Sequence, residues 1–293
     1  MDRIDIEILK MLTNDSRISY SYIASALAIS VNTVKNRIKR ILTNNVIASF
    51  VTHPNFALFG FDVSFNLLIR CRESPDSIAN LMAGLGYIYM KVNFFDNILF
   101  FKILFKKGQQ VASPKDIEES LKPNEVIVTF QEQLLCNFAP LQTDWKMIYW
   151  LILEPRIGVR DLAKRASVTE RTIIRRLRVI RQKHILNFSI QYNPAFMNNY
   201  LYFRMIVITD QSLADYVIDE LHKLYKDHFI LITSLISKSI ILLLLFSRNI
   251  PELESVKKKI GSINGVINII PAIPLTMELY QNYFLERIRE IIA

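Results

Sequence analysis

Residues 1–50 read MDRIDIEILKMLTNDSRISYSYIASALAISVNTVKNRIKRILTNNVIASF, and residues 140–189 read PLQTDWKMIYWLILEPRIGVRDLAKRASVTERTIIRRLRVIRQKHILNFS. The second stretch repeats the first, shifted by 139 positions without a gap. Asp5 falls on Asp144, Leu12 on Leu151, Arg17 on Arg156, Ile18 on Ile157, Ala24 on Ala163, Thr33 on Thr172, Arg37 on Arg176 and Ile41 on Ile180. Apolar positions correspond as well: Leu9 with Ile148, Ile23 with Leu162, Val34 with Ile173, Ile38 with Leu177, Val46 with Ile185. The chain therefore reads as two copies of one unit, each a small helical head followed by a longer tail.

Within the first head, Ile4, Ile8, Leu9 and Leu12 recur at helical spacing and Asn14-Asp15 closes that helix. Ser19 is placed to cap a short second helix carrying Ile23, Ala24 and Leu27, and Ser30 a third whose inward stripe is Val34, Ile38, Ile41 and Leu42. An extended run, Val46 to Val51, follows Asn44-Asn45. Three short helices and then strands is the winged helix-turn-helix pattern, in which the third helix is free to enter a DNA groove. The second head repeats the plan over Trp145–Leu153, Arg160–Ala166, Glu170–Gln182 behind Thr169, and Ile185–Tyr192.

Both tails read as strand, helix, strand, strand, helix, strand. The strands are Val63–Arg70, Tyr87–Phe94, Ile98–Phe105 and Glu125–Gln131 in the first, and Tyr202–Thr209, Phe229–Leu235, Ser239–Phe246 and Val266–Ala272 in the second. That order belongs to a ferredoxin-like α+β sandwich. The expected division is a winged head at 1–52, a ferredoxin-like domain at 53–142, a second winged head at 143–195 and a second ferredoxin-like domain with a C-terminal helix at 196–293. Strands such as Ile240–Phe246 are apolar on both faces, so the open sheet face needs a cover. Pairing of the two sheets supplies one, either within one chain as a pseudo-dimer or crosswise in a homodimer. Met277 to Ile292 has no counterpart in the first unit and carries an apolar stripe, to be packed on its own domain or on a partner chain.

The net charge of +9 is unevenly held. The heads carry +3 (residues 1–50) and +7 (143–195), the tails −1 (51–142) and 0 (196–293). Basic charge confined to two small helical units is the footprint of nucleic-acid contact. No apolar run approaches the roughly 20 residues of a membrane span. The acidic, helical N-terminus is unlike a secretory signal, so a cytoplasmic location is expected. Cys71 and Cys136 suggest two reduced thiols, not a disulfide framework. No Gly-rich phosphate loop, nucleophile elbow or His/Cys cluster at metal spacing is present, so neither an enzyme nor a cofactor is expected.

The run D-x-x-I-L-x-x-L-x-x-D-x-R from Asp5 to Arg17, with Ile23-Ala24, Ser30, Val34, Arg37-Ile38 and Val46-Ile47, resembles the Lrp/AsnC (feast/famine) transcription regulators. The resemblance implies a winged head before a ferredoxin-like regulatory domain, with two regulatory sheets packed face to face. It also implies a glycine before the wing, where this chain has Asn45 and His184, and a glycine and an aspartate shaping an amino-acid pocket between the second and third tail strands. Here the first tail has Asn93-Phe94-Phe95-Asp96, and the second Ser234-Leu235-Ile236-Ser237-Lys238 with neither. Asn93 and Asp96 are thus the candidate contacts for a small-molecule effector of unknown identity.

The expected partner is double-stranded DNA. Outward positions of the third helices are Asn32, Lys35, Asn36, Lys39 and Arg40 in the first head, and Arg171, Ile174, Arg175, Arg178 and Val179 in the second, with Arg181 and Lys183 near its end. Asparagine pairs bidentately with adenine and arginine with guanine, which makes Asn32, Asn36, Arg171 and Arg175 the base-reading candidates. Lys35, Lys39, Arg40, Arg178, Arg181 and Lys183 are the phosphate candidates. The identical charged pairs Asp5/Asp144, Arg17/Arg156 and Arg37/Arg176 are expected to hold each three-helix head together. Two other functions fit the architecture. One is a fused siroheme-decarboxylase-like enzyme, for which the chain offers only His53, His184, His222 and His228; the last two read as ordinary surface or partly buried histidines. The other is an architectural protein that binds DNA without sequence preference.

Overall fold

The computed structural model describes residues 1–72, 74–109, 113–122, 124–193, 196, 200–225, 230–237 and 239–293. The first unit runs α1 (Arg3–Asn14), α2 (Tyr20–Ala26), α3 (Val31–Thr43) and β1 (Ile47–Pro54), then a 3-10 turn at Phe56–Phe59, and β2 (Phe61–Arg70), α4 (Pro75–Leu85), β3 (Tyr87–Phe94), β4 (Ile98–Lys106), α5 (Pro114–Ser120) and β5 (Glu125–Gln133). The second follows the same order with α6 (Gln142–Leu153), α7 (Val159–Ala166), α8 (Glu170–Gln182), β6 (Leu186–Tyr192), β7 (Leu201–Thr209), α9 (Ala214–Tyr225), β8 (Ile230–Ser237), β9 (Ile240–Ser247), α10 (Ile250–Gly261) and β10 (Val266–Ala272). Two elements remain, β11 (Pro274–Leu279) and α11 (Asn282–Ile292).

The sequence-expected caps form. Ser19 accepts from Tyr22 N–H, Ser30 from Thr33 N–H and Thr169 from Thr172 N–H, satisfying donors that a helix start would otherwise leave open. Asn45 and His184, standing where a wing glycine was expected, both have left-handed backbone, φ 56° and 50°. The turn geometry survives without glycine, easily for asparagine and at some strain for histidine.

Each tail is an antiparallel ferredoxin-like sheet, ordered β10-β7-β9-β8 in the second unit and β3-β4-β2-β5 in the first, where β11 adds a fifth strand beside β3. One face of each sheet is covered by its own helices: Ile78, Met82 and Ile117 in the first unit, Val217, Leu221, Leu253 and Ile260 in the second. The other faces meet. Leu68, Val92, Phe94, Ile98 and Val128 of the first sheet share one buried cluster with Ile206 and Ala272 of the second. The α+β architecture expected from the repeat is therefore present, and the sheet-to-sheet contact forms inside one chain.

The heads cross over. The core of head 1 continues into Ile190, Tyr192, Tyr202, Leu244 and Phe246 of the second unit. The core of head 2 continues into Phe56, Phe59, Phe61, Tyr89 and Leu104 of the first. Each head contributes one wing strand, and the two strands pair with each other, β1 antiparallel to β6, with Val51 opposite Ser189 and His53 opposite Asn187.

The C-terminal segment differs from expectation. The apolar stripe from Met277 is not one helix, because Pro274–Leu279 pairs with β3 as β11, Leu279 opposite Met90. Only Asn282–Ile292 is helical, and it packs on α6 and on the first unit. Phe284, fully buried, sits 4.8 Å from the Phe59 ring, 5.7 Å from Phe56 and 5.8 Å from Tyr89. The tail thus fastens the second unit to the first. Among the described residues β8, the counterpart of β3, has no strand beyond it.

Candidate nucleic-acid interface and central cavity

The third helices are positioned by one buried carboxylate in each head. Asp5, fully buried, exchanges backbone–side-chain hydrogen bonds with Asp2 at the start of α1 and accepts from Arg37 Nη1 at 2.8 Å and Arg40 Nη2 at 2.7 Å on α3. Asp144, also fully buried, accepts from Leu141 N–H at 2.8 Å and takes both Nε and Nη2 of Arg176 on α8. A buried carboxylate needs this many donors to offset its desolvation. Arg37 and Arg176 therefore orient α3 and α8 from within, as expected for this pair of repeated residues.

What remains outward is the candidate DNA surface. Asn32, Lys35, Asn36 and Lys39 on α3, and Arg171, Ile174, Arg175 and Arg178 on α8, are all exposed, as is Lys183 just after α8. The repeat shift places Asn32 on Arg171, Lys35 on Ile174, Asn36 on Arg175 and Lys39 on Arg178. Two of the six expected phosphate contacts are partly engaged inside the protein: Arg40 by Asp5, and Arg181 by Asp15 at 3.1 Å and by the face of Phe188.

Arg17 and Arg156 do something other than expected. Arg17 does not brace its own head but donates to the carbonyls of Pro155 (2.6 Å) and Ile157 (2.9 Å) in head 2. Burial, helped by nearby Arg181 and Arg156, lowers its pKa to about 10. Arg156 reaches the other way, stacking 4.9 Å from the Tyr20 ring and 5.1 Å from Phe50 of head 1. Ser16 N–H adds a bond to the Phe188 carbonyl. These contacts, with the β1–β6 pair, bind the heads to one another. Intramolecular spacing could not have shown which head each arginine serves.

The two candidate effector residues do not converge. Asn93 lies on β3 and donates to Thr276 Oγ1 of β11 at 2.8 Å, while Asp96 sits in the β3–β4 turn with left-handed backbone (φ 66°) and faces Arg70 at 3.4 Å. Lys238, in the corresponding stretch of the second tail, lies outside the described residues.

A cavity of about 400 Å³ opens instead where β1 and β6 meet both sheets. His53 of β1 and Tyr192 of β6, equivalent in the repeat, both line it, with Tyr89, Lys102 and Glu132 from the first unit and Arg204 from the second. His53 Nδ1 pairs with the Tyr89 hydroxyl at 2.5 Å, and burial, then Lys102, depresses its pKa to about 4, so the ring is neutral. Lys102 donates to Glu132 at 3.2 Å. Burial pushes the Tyr89, Tyr192 and Tyr202 hydroxyls up. Sequence reasoning passed over Lys102 and Arg204. Their signal was a lone cation within an apolar strand, ILFFKILF and LYFRMIVI. Of the other histidines, His184 and His222 are exposed and His228 lies outside the described residues.

Residues 1–41 match the model of the AsnC-type helix-turn-helix domain. An uncharacterized HTH-type transcriptional regulator of Pyrococcus horikoshii is 39% identical over 72 residues, 25% of this chain and 49% of that protein. The HTH-type transcriptional regulator Ptr1 of Methanocaldococcus jannaschii is 40% identical over 63 residues, 22% of this chain and 43% of that protein. Its first 41 residues are an AsnC-type helix-turn-helix domain. It spans about half the length of the curated relatives it matches. Over its full extent, 99% of this chain and 98% of the other, it shares the fold of the siroheme decarboxylase NirDL, with a TM-score of 0.51 and 13% identity. Both heads keep a capped third helix, and both have a residue other than glycine at the turn before the wing. Among the described residues no helix is long and apolar enough to cross a membrane, and no group of three or more metal-ligating side chains gathers.

Proposed function

We propose that this chain is an Lrp/AsnC-type DNA-binding transcription regulator that presents two unlike heads to one asymmetric site. The observation that carries the reading is the sorting of charge on α3 and α8. Arg37 and Arg176 are spent on buried carboxylates, while Lys35, Lys39, Arg178 and Lys183 stand exposed with no intramolecular polar partner among the described residues. Asn32 and Asn36 suit adenine edges, Arg171 and Arg175 suit guanine, and Ile174 supplies an apolar contact for a thymine methyl where the first head has Lys35. The heads keep one scaffold and change the readout. Their mutual attachment through β1, β6, Arg17 and Arg156 fixes the spacing between half-sites, near one helical turn of about 34 Å or a multiple of it.

Four free cations on phosphates give a log–log salt slope of about −3.6. Fluorescence anisotropy on a site enriched from random DNA tests this, with Lys39→Ala expected to flatten the slope by about one unit and Arg40→Ala by less, since Arg40 is held by Asp5. Equal affinity for random DNA would favour an architectural role instead. Incubation with siroheme tests the enzymatic alternative, and the DNA reading expects no decarboxylated product.

A further inference from the structure

Among the described residues Arg204 is the one guanidinium set into the wall of the central cavity. It is 9% exposed, its Nε has no hydrogen-bond partner, and among the described residues no carboxylate pairs with it. Its guanidinium lies 5.7 Å from the Phe94 ring and hydrogen-bonds the Tyr202 hydroxyl, a dipole that supplies no counter-charge. A buried charge left this way is expensive, and the usual remedy is a counter-charge. The other cation, Lys102, is already neutralised by Glu132, and His53 is uncharged. Among the described residues the cavity therefore carries one positive charge without a carboxylate partner. Around it stand apolar surfaces, Phe100, Phe130, Leu242 and Met277, and the hydroxyls of Tyr192 and Tyr202. A volume near 400 Å³ lies in the range of sites that enclose a small organic ligand.

We propose that this cavity binds one compact amphipathic monoanion per chain, its anionic end on Arg204 and its apolar body against Phe100, Phe130 and Leu242. A polycarboxylate does not suit it, because Glu132 would face the further negative charges. Thr13 of α1 and Ser189 of β6 line the same cavity and are tied together, Ser189 Oγ donating to the Thr13 carbonyl at 2.8 Å. On the DNA-binding reading above, occupancy would thus bear on head 1 and on the wing pair. Ligand binding itself stands apart from that reading.

The probe is 8-anilinonaphthalene-1-sulfonate, an aromatic monoanion whose fluorescence rises in apolar surroundings, set against its uncharged analogue N-phenyl-1-naphthylamine and against uroporphyrin, a polycarboxylate. Full-length protein is titrated with each, no DNA present. The expected result is one anilinonaphthalenesulfonate site per chain, weakened about tenfold or more by Arg204→Met, a loss appropriate to a charged hydrogen bond. The same variant should leave N-phenyl-1-naphthylamine within about twofold, because the apolar walls are unchanged. Leu242→Trp, which fills the cavity, should abolish both. Circular dichroism checks that each variant is folded; if Leu242→Trp is not, the selective effect of Arg204→Met decides alone. Equal losses for the charged and uncharged probes, an unchanged anion affinity in Arg204→Met, or tighter binding of uroporphyrin than of the monoanion would each overturn the proposal. A failure of DNA binding would leave these titrations unaffected.

Discussion

Replacing Arg17 by methionine cuts the clamp between the heads while keeping the length of the side chain. Two charge-assisted hydrogen bonds, to Pro155 O and Ile157 O, are lost. At about 1.5–3 kcal/mol each, that is roughly 3–6 kcal/mol. The guanidinium, however, is disfavoured where it sits, its pKa having fallen from 12.5 to about 10. A shift of that size corresponds to about 3 kcal/mol, recovered when the charge is removed. The net destabilisation is therefore about 0–3 kcal/mol, the hydrogen bonds at most winning by a modest margin. Arg17→Lys should lose more than half as much, since an ammonium cannot span both carbonyls with a planar fork. Urea unfolding followed by circular dichroism measures the loss, and amide hydrogen exchange locates it. Exchange should quicken on both sides of the contact, at residues 15–18 and 155–158 and along the β1–β6 ladder. Faster exchange confined to residues 1–50, with residues 155–158 unchanged, would refute a clamp between heads and restore the role of a brace within one head.

Three further outcomes follow from single side chains. His53 is neutral when folded, its pKa lowered by burial and then by Lys102 to about 4 from 6.5. The unfolded chain alone takes up its proton below 6.5, so stability falls as pH drops, by about 1.4 kcal/mol at pH 5.5 and about 3 kcal/mol by pH 4; His53→Gln should remove that part of the slope in urea titrations at several pH values. His184→Gly relieves a left-handed histidine (φ 50°) whose side chain is exposed, and should raise stability by about 0.5–1 kcal/mol, whereas Asn45→Gly should gain less; a destabilised His184→Gly would show that the turn is not strained. Phe284→Ala empties the aromatic cluster joining α11 to the first unit and should cost about 3–5 kcal/mol in thermal or chemical unfolding; a cost under about 1 kcal/mol would mean that the C-terminal helix is not part of the core.

The repeat made most of the fold readable. Apolar residues at helical spacing and three cap residues, Ser19, Ser30 and Thr169, set the head helices closely, although the first helix of head 2 begins at Gln142, three residues before the expected Trp145. Strand order in the tails followed from the same periodicity. Pattern alone could not say which copy packs on which, because the faces of the two units are equally apolar. Hence the crossing of heads over tails, the pairing of β1 with β6 and the reach of Arg17 into head 2 emerge only in three dimensions. The C-terminal segment misled for a different reason: Pro274–Leu279 continues the stripe of α11, yet the open edge of β3 captures it as a strand. The exposed positions on α3 and α8 were legible because exposure follows directly from the helical period. The cavity was not, since its lining comes from both units and its main signal is one arginine in an apolar strand.

The account rests on two unlike heads held at fixed spacing within one chain. Selection of bound sequences from a randomised DNA pool, with the mass of the selected complex measured by light scattering, tests it most directly. The prediction is an asymmetric site, with two different half-sites separated by about one helical turn or a multiple of it, adenine favoured under head 1 and guanine under head 2. A palindromic consensus, or a pool that emerges without enrichment, would contradict it.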